Sequence, residues 1–425
     1  MSVLPRNLLP DSAEVGSEGQ LIIGGCDVRE LAEQYGTPLF VYDEQHLRDR
    51  CREAADAFGD GVAYATKAFL CRAMARLAHE EGMHLDVASG GELAVALAAD
   101  VPAERLVFHG NNKSCDELRA ARRAGVGRIV VDSFDELDRL ELLHREDGEV
   151  ARILLRITPG VEAHTHEFVM TGQDDSKFGF GLKVGDAQRA VERSRASSGV
   201  ELIGLHAHIG SQVFVAGFFE QAIEVLAPFV NASGVSELSI GGGIGVAYVE
   251  GEQAPSIAEW GEVVRRACER AGITARVSAE PGRSITAQAA VTLYRVGTIK
   301  DVPGIRRFVA CDGGFVDNPR PALYGSGYET FDPARVQADR SEVVRLVGKH
   351  CESGDVLVPE AKVPPGLEVG DLIATPVTGA YGRSMGSNYN LLHRPAVVFV
   401  RDGQARLVIR RETDADLLCT DVADR

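Results

Sequence analysis

The 425-residue chain carries a formal net charge of −17 at pH 7 and 45% hydrophobic residues, enough apolar material for two packed domains. That acidic balance excludes the basic face that nucleic-acid or anionic-membrane binding requires, so the expected partner is a small molecule. No apolar run is long enough to span a membrane, and the N-terminus lacks the basic-then-apolar order of a signal peptide, so the sequence predicts a cytoplasmic protein with no membrane partner.

The first 36 residues, including LIIGG at 21–25, are expected to add a strand to a C-terminal domain. Residues 37–285 are expected to form one domain, in which from about residue 60 short β-branched or apolar runs alternate with stretches of helical periodicity, which favours a parallel sheet wrapped by helices. The runs are 62–66, 84–88, 105–109, 128–132, 152–158, 202–209, 237–240 and 275–280. Eight such strands close a TIM-like (β/α)8 barrel. Between them, FEQAIEVLAPF places Phe219, Ala222, Ile223, Leu226 and Phe229 at three- and four-residue steps, the mark of one buried helix face. HREDGEV at 144–150 reads as a solvated helix end. From residue 286 to residue 425 the texture becomes strand-rich, in VTLYRVGTI, RRFVACD, EVVRLVGK, DLIATPVTG, PAVVFVRDG and ARLVIRR. This part is expected to form an antiparallel β-domain, completed by residues 1–36.

Barrel enzymes carry their chemistry just after the carboxyl ends of the strands. Lys67 in YATKA follows the first strand, where burial would depress an ammonium pKa toward Schiff-base chemistry; a lysine snorkelling from a strand end is the alternative. Gly241–Gly245 follow the seventh strand and suit close backbone approach to an anion, although no dinucleotide or Walker pattern is present. Glu280 and Arg283, in EPGRS, follow the eighth strand and could face a cofactor ring nitrogen or form a structural ion pair. His206 and His208 could ligate a metal as an H-x-H pair, but further ligands at other strand ends are lacking, and HTHE at 164–167 lacks zinc-helix spacing. No metal is therefore expected, and His208 reads as a ring stacked on a flat cofactor or as a core histidine. The eight cysteines form no CxxC pair, and most read as small buried apolar residues in a reduced compartment.

Together YATKA (64–68), SKFGFG (176–181), HIGSQ (208–212), GGGIG (241–245), EPGRS (280–284), RPALYG (320–325), CESGD (351–355), GAYGRSMGSNYN (379–390) and RRET (410–413) span nearly the whole chain. In this order they resemble the fold-type-III pyridoxal-phosphate decarboxylase family, and within it the enzymes acting on meso-diaminopimelate. The resemblance implies that Lys67 holds pyridoxal 5'-phosphate, His208 stacks on its ring and Glu280 pairs with its nitrogen. It implies that Ser211, Gly242, Gly243, Gly245, Gly282, Arg283 and Tyr381 surround the phosphate. Arg283, Arg320, Tyr324, Tyr381 and Glu352 would contact substrate, with Arg283 open between phosphate and substrate. Cys351 would donate the proton that completes L-lysine, reaching a neighbouring subunit's site across a homodimer. A relative acting on another basic amino acid or a carboxylated polyamine is the alternative. Phe69, and the apolar residues after RPA at 394–396, depart from the family pattern without touching this chemistry.

Overall fold

The computed structural model describes residues 3–160 and 175–422. They divide into two compact units, one of residues 50–246 and 254–284, the other of residues up to 49, 247–253 and 285 onward.

The first unit is built on eight parallel strands: β1 (Ala63–Ala65), β2 (His84–Val87), β3 (Leu106–Phe108), β4 (Arg128–Val131), β5 (Ala151–Thr158), β6 (Val200–His206), β7 (Glu237–Ser239) and β8 (Arg276–Ser278). Each pairs with the next in chain order. The ends of the sheet meet where Ala63 N–H donates to the Ala279 carbonyl at 2.9 Å and Ala65 N–H to the Pro281 carbonyl at 3.0 Å. The sheet therefore closes into the expected barrel.

Each connection between consecutive strands carries a helix. Four helices begin with Ser-x-x-Glu, and the hydroxyls of Ser89, Ser114, Ser133 and Ser256 accept from the backbone N–H of Glu92, Glu117, Glu136 and Glu259. These caps satisfy N–H groups that a helix cannot satisfy itself, which is why the helices start there. Gly217–Ser233 buries Phe219, Ala222, Ile223, Leu226, Ala227 and Val230. Phe229 is only half-buried, because its neighbour Val230 takes the core side of that turn.

Ala63, Val107, Val130, Leu154 and Ile203, from five strands, form one buried apolar cluster. Residues two apart on a strand share a face, so Ala65, His109, Asp132 and Arg156 point the same way one layer nearer the carboxyl ends. All four are buried. The apolar layer thus serves as the floor of a polar mouth.

The second unit holds a mainly antiparallel sheet in the order Val356–Val363, Glu342–Val347, Arg306–Cys311, Ala290–Val302, Leu39–Asp43, Ala396–Arg401, Gln404–Ile409, with Leu372–Pro376 also paired to Ala290–Val302. Two contacts are parallel: Arg306–Cys311 with Glu342–Val347, and Leu39–Asp43 with Ala396–Arg401. The boundary differs from residue 37, because the wholly buried Leu39–Asp43 joins this sheet. An unbroken apolar run has no alternation to show which sheet it will enter. LIIGG does form a strand, but not in the main sheet. Gly24 and Gly25, with φ of 56° and 78°, turn Leu21–Ile23 back onto Cys26–Asp27 in a separate three-stranded sheet.

Behind the barrel mouth Lys113 Nζ lies 2.7 Å from Glu136 Oε1, both side chains buried, and donates to the carbonyls of Gly110 at 2.6 Å and Val130 at 2.7 Å. Lys113→Met should lower unfolding free energy by about 3–5 kcal/mol, since it strands a buried carboxylate. Urea denaturation of this variant beside Lys113→Met/Glu136→Gln checks the cause: the double variant should recover most of the loss.

Candidate active site

Glu280 follows β8 at the seam of the barrel and is the hub of a buried polar cluster. Ser239 Oγ donates to its Oε1 at 2.7 Å and His206 Nε2 to its Oε2 at 3.0 Å. His109 Nε2 lies 3.4 Å from Glu280 Oε1 and 3.6 Å from Asp86 Oδ1, and its ring meets the His206 ring edge-to-face. Burial pushes the Glu280 carboxyl upward, but the two histidines outweigh it and hold the group well below its ordinary range. Burial also pulls His109 down, yet the facing carboxylates of Asp86 and Glu280 prevail and raise it. For His206 burial wins, which makes it a neutral donor.

Beside this cluster lies a cavity of about 280 Å³ whose lining includes Lys67, Asp86, Arg156, Phe178 and His208. Lys67 is the middle residue of the turn Thr66–Ala68, directly after β1. Thr66 and Ala68 are buried and Lys67 is exposed, so the turn fixes its backbone while leaving its amine accessible. The expected burial of this lysine is not what the fold provides. Thr66 pins the turn by donating to the Asp86 carbonyl at 2.7 Å and contacting Glu92 Oε2 at 3.1 Å. Arg156 stacks 4.2 Å over the Phe178 ring of SKFGFG and lies 3.6 Å from Asp132.

His208 receives a hydrogen bond at Nδ1 from Gly242 N–H at 3.1 Å, so its own proton belongs on Nε2. Burial first, then Lys67 and Arg156, holds its pKa well below 6.5, and the ring is uncharged at neutral pH. The H-x-H pair is not brought together. His206 instead groups with His109 and Glu280, their polar atoms within 4.8 Å of one another, while His208 turns to the glycine loop. HTHE at 164–167 lies outside the described residues.

The glycine loop is stitched to the loop after β6 by Val213 N–H to the Gly243 carbonyl and Gly245 N–H to the Val213 carbonyl, each 2.9 Å. A Cβ at Gly242 would collide with the Glu280 carbonyl oxygen, and one at Gly243, where φ is 116°, with that of Gly210. Only glycine allows this close approach. Gly245 lies against the Phe214 ring and Gly282 against Ala65. On the same rim Arg283 Nη2 donates to Ser211 Oγ at 3.0 Å.

In the other unit Arg320 opens the short helix Arg320–Tyr324 and is buried, while Tyr324 at its end is half-buried. Cys351 is exposed, its backbone N–H bonded to Asn390 Oδ1 at 3.0 Å. Exposed Glu352 accepts at Oε1 from Ser353 Oγ and Gly354 N–H, both at 3.3 Å. Tyr381 is half-buried with a φ of 58°. Five of the other cysteines are buried, as expected, but Cys419 is exposed.

Asp86, Asp132 and Ser239 escaped the sequence reading. The signal existed: Asp132 stands two residues beyond Val130, on the same strand face.

Residues 44–287 match the family model described as pyridoxal-dependent decarboxylase, pyridoxal binding domain. The chain is 48% identical to diaminopimelate decarboxylase of Mycobacterium tuberculosis over 99% of this chain and 98% of that one. Against the Bacillus subtilis enzyme of the same name the figures are 47%, 97% and 98%. The chain belongs to the diaminopimelate decarboxylase family. Its fold superposes on that of the M. jannaschii family member solved with L-lysine with a TM-score of 0.90, at 32% identity and covering 97% of this chain and 98% of that one. Lys67, His208, the glycine loop, Glu280 and Arg283 all fall inside the matched pyridoxal-binding domain.

Asp86 gives this family site a measurable stability cost. Burial, the leading cause, pushes its pKa up to about 6 from an ordinary 3.8. Between these values the folded state binds more protons than the unfolded one, so stability falls as pH rises, and the penalty is complete above about 6. Asp86→Asn should therefore stabilise the cofactor-free protein at pH 7.5 by about 1–3 kcal/mol. The gain should shrink as pH is lowered from 6 toward 4, which thermal unfolding across that range would measure.

Proposed function

We propose that the chain decarboxylates meso-diaminopimelate to L-lysine and carbon dioxide with pyridoxal phosphate, the last step of lysine biosynthesis, in the cytoplasm. The observation that carries this reading is the end-to-end identity with relatives of that name, at 47–48% over nearly the whole chain. The site residues fit the cofactor. Gly242, Gly243, Gly245 and Gly282 let the backbone pack closely around Glu280, Gly210, Phe214 and Ala65, Ser211 and Arg283 would supply donors to a phosphate beside that loop, and the unprotonated carboxylate of Glu280 suits a protonated ring nitrogen.

In this reading Lys67, whose exposed amine sits on a rigid turn, would hold the cofactor. Uncharged His208 would stack on the cofactor ring, and Tyr381 would contact its phosphate and the substrate. Bound pyridoxal phosphate supplies a conjugated ring that takes up the electron pair left when carbon dioxide departs. Arg320, Tyr324 and Glu352 would hold the distal amino-acid end of the substrate. The Arg283–Ser211 contact favours the phosphate role for Arg283. Cys351, with its exposed thiol, would supply the proton that replaces the lost carboxylate. It does so, we propose, in the partner's site of a twofold homodimer.

Release of carbon dioxide from meso-diaminopimelate, beside L-lysine and L-ornithine, tests the reaction directly: turnover of diaminopimelate alone is expected, and ornithine or lysine as the better substrate would overturn it. Borohydride reduction followed by peptide mapping should place the cofactor on Lys67 and not on Lys113 or Lys177. The shared site has its own test. Lys67→Ala and Cys351→Ala chains, each nearly inactive, should regain about a quarter of wild-type activity when refolded together, because half of the dimers are hybrids with one intact site each. No gain, with hybrids seen by native mass spectrometry, would place both residues in one chain's site or remove Cys351 from the reaction.

A further inference from the structure

Two buried arginines in the second unit are treated differently. Arg340, 2% exposed, pairs with Glu329 at 2.8 Å and donates to the Thr330 carbonyl at 3.0 Å. Arg320, 3% exposed, has no carboxylate within ion-pair distance among the described residues, and its buried Nη1 has no hydrogen-bond partner there. What it has is aromatic surface. Its guanidinium carbon lies 3.5 Å from the ring centre of Tyr248 and 5.3 Å from that of Tyr328. The two rings, 2% and 4% exposed, meet edge-to-face at 5.7 Å. Tyr248 is held by a tight turn in which its own N–H donates to Glu252 Oε2 at 2.7 Å.

A guanidinium bonds in its plane through its N–H edges and stacks through its faces. Buried against the Tyr248 ring, it is shielded from water on that side while its Nη1 keeps unused donors. The ligand that satisfies such an edge is a planar anion accepting two parallel hydrogen bonds, that is, a carboxylate. An ammonium in the same place would be repelled.

We propose that Tyr248 is a positioning residue that holds Arg320 against its ring, with Tyr328 standing nearly perpendicular beside it, so that the unpartnered Nη1 of Arg320 selects substrates with a carboxylate at the distal end. This rests on the reading of Arg320 as the distal-carboxylate contact given above. The stack explains why Arg320 can stay buried without a protein carboxylate: the Tyr248 face compensates part of its lost hydration, and the substrate would supply the rest.

The test is a cycle of variants in the cofactor-loaded protein, read as KM and kcat for meso-diaminopimelate and as competitive inhibition by pimelate, a dicarboxylate without amines. Tyr248→Leu removes the face and should raise both KM and the pimelate inhibition constant by about 5- to 20-fold, with kcat changed far less. Tyr248→Phe keeps the face and should restore the wild-type values. In an Arg320→Ala background Tyr248→Leu should add nothing further, because there is no cation left to hold. An equal rise in KM with and without Arg320 would overturn the positioning role, as would Phe behaving like Leu. If Arg320→Ala itself leaves KM and pimelate inhibition unchanged, the distal-carboxylate reading fails instead, a separate result. Should Tyr248→Leu not fold, judged by its thermal transition and cofactor absorbance, Tyr248→Met, which also removes the ring, carries the same comparison, and coupling to Arg320 decides it.

Discussion

The seam of the barrel is the constraint on which the site depends. Two backbone hydrogen bonds join β1 to the segment after β8, and that closure brings Lys67, from the start of the barrel, and Glu280, from its end, to one mouth. The same closure fixes the direction of every inward side chain. Once Val107, Val130 and Leu154 fill the floor, strand geometry obliges His109, Asp132 and Arg156 to form the layer above. The polar mouth is therefore a consequence of the apolar floor. A slip of one residue in any strand would exchange the two.

That mouth concentrates groups that ordinarily avoid burial. Glu280, Asp86, His109, His206 and Arg156 are all buried within one neighbourhood. Charges of both signs compensate one another there, and the fit is uneven: Glu280 is held ionised by its histidines, while Asp86 pays for its burial with a raised pKa. Such unevenness is expected where a site is arranged for a ligand and not for the stability of the empty fold. The contrast between Arg340, paired with Glu329, and Arg320, stacked on Tyr248 with its Nη1 unpartnered, expresses the same principle in the second unit.

The glycine loop shows how a weak local signal gains meaning from its place. Three consecutive glycines alone indicate a tight turn. Set after β7, stitched to the loop after β6 and pressed against the carbonyls of Gly210 and Glu280, they become a closely packed backbone segment beside the loop that carries the Arg283–Ser211 contact.

Composition and periodicity were sufficient for the eight barrel strands, their helices and the location of Lys67, the glycine loop, Glu280 and Arg283, because alternation, capping and strand-end position are properties of neighbouring residues. Other features were beyond them. Leu39–Asp43 is apolar throughout, so its place in the second unit's sheet was set by its pairing partners and not by its pattern. Lys67 is exposed although its flanking residues are buried, which depends on how one short turn leaves the strand. The His206–Glu280–His109 cluster and the Tyr248–Arg320 stack join residues far apart in the chain. The sequence by itself determined which residues could do chemistry; tertiary structure alone decided which of them meet, because distance between side chains on different strands is a property of closure and register and is not encoded in any local stretch.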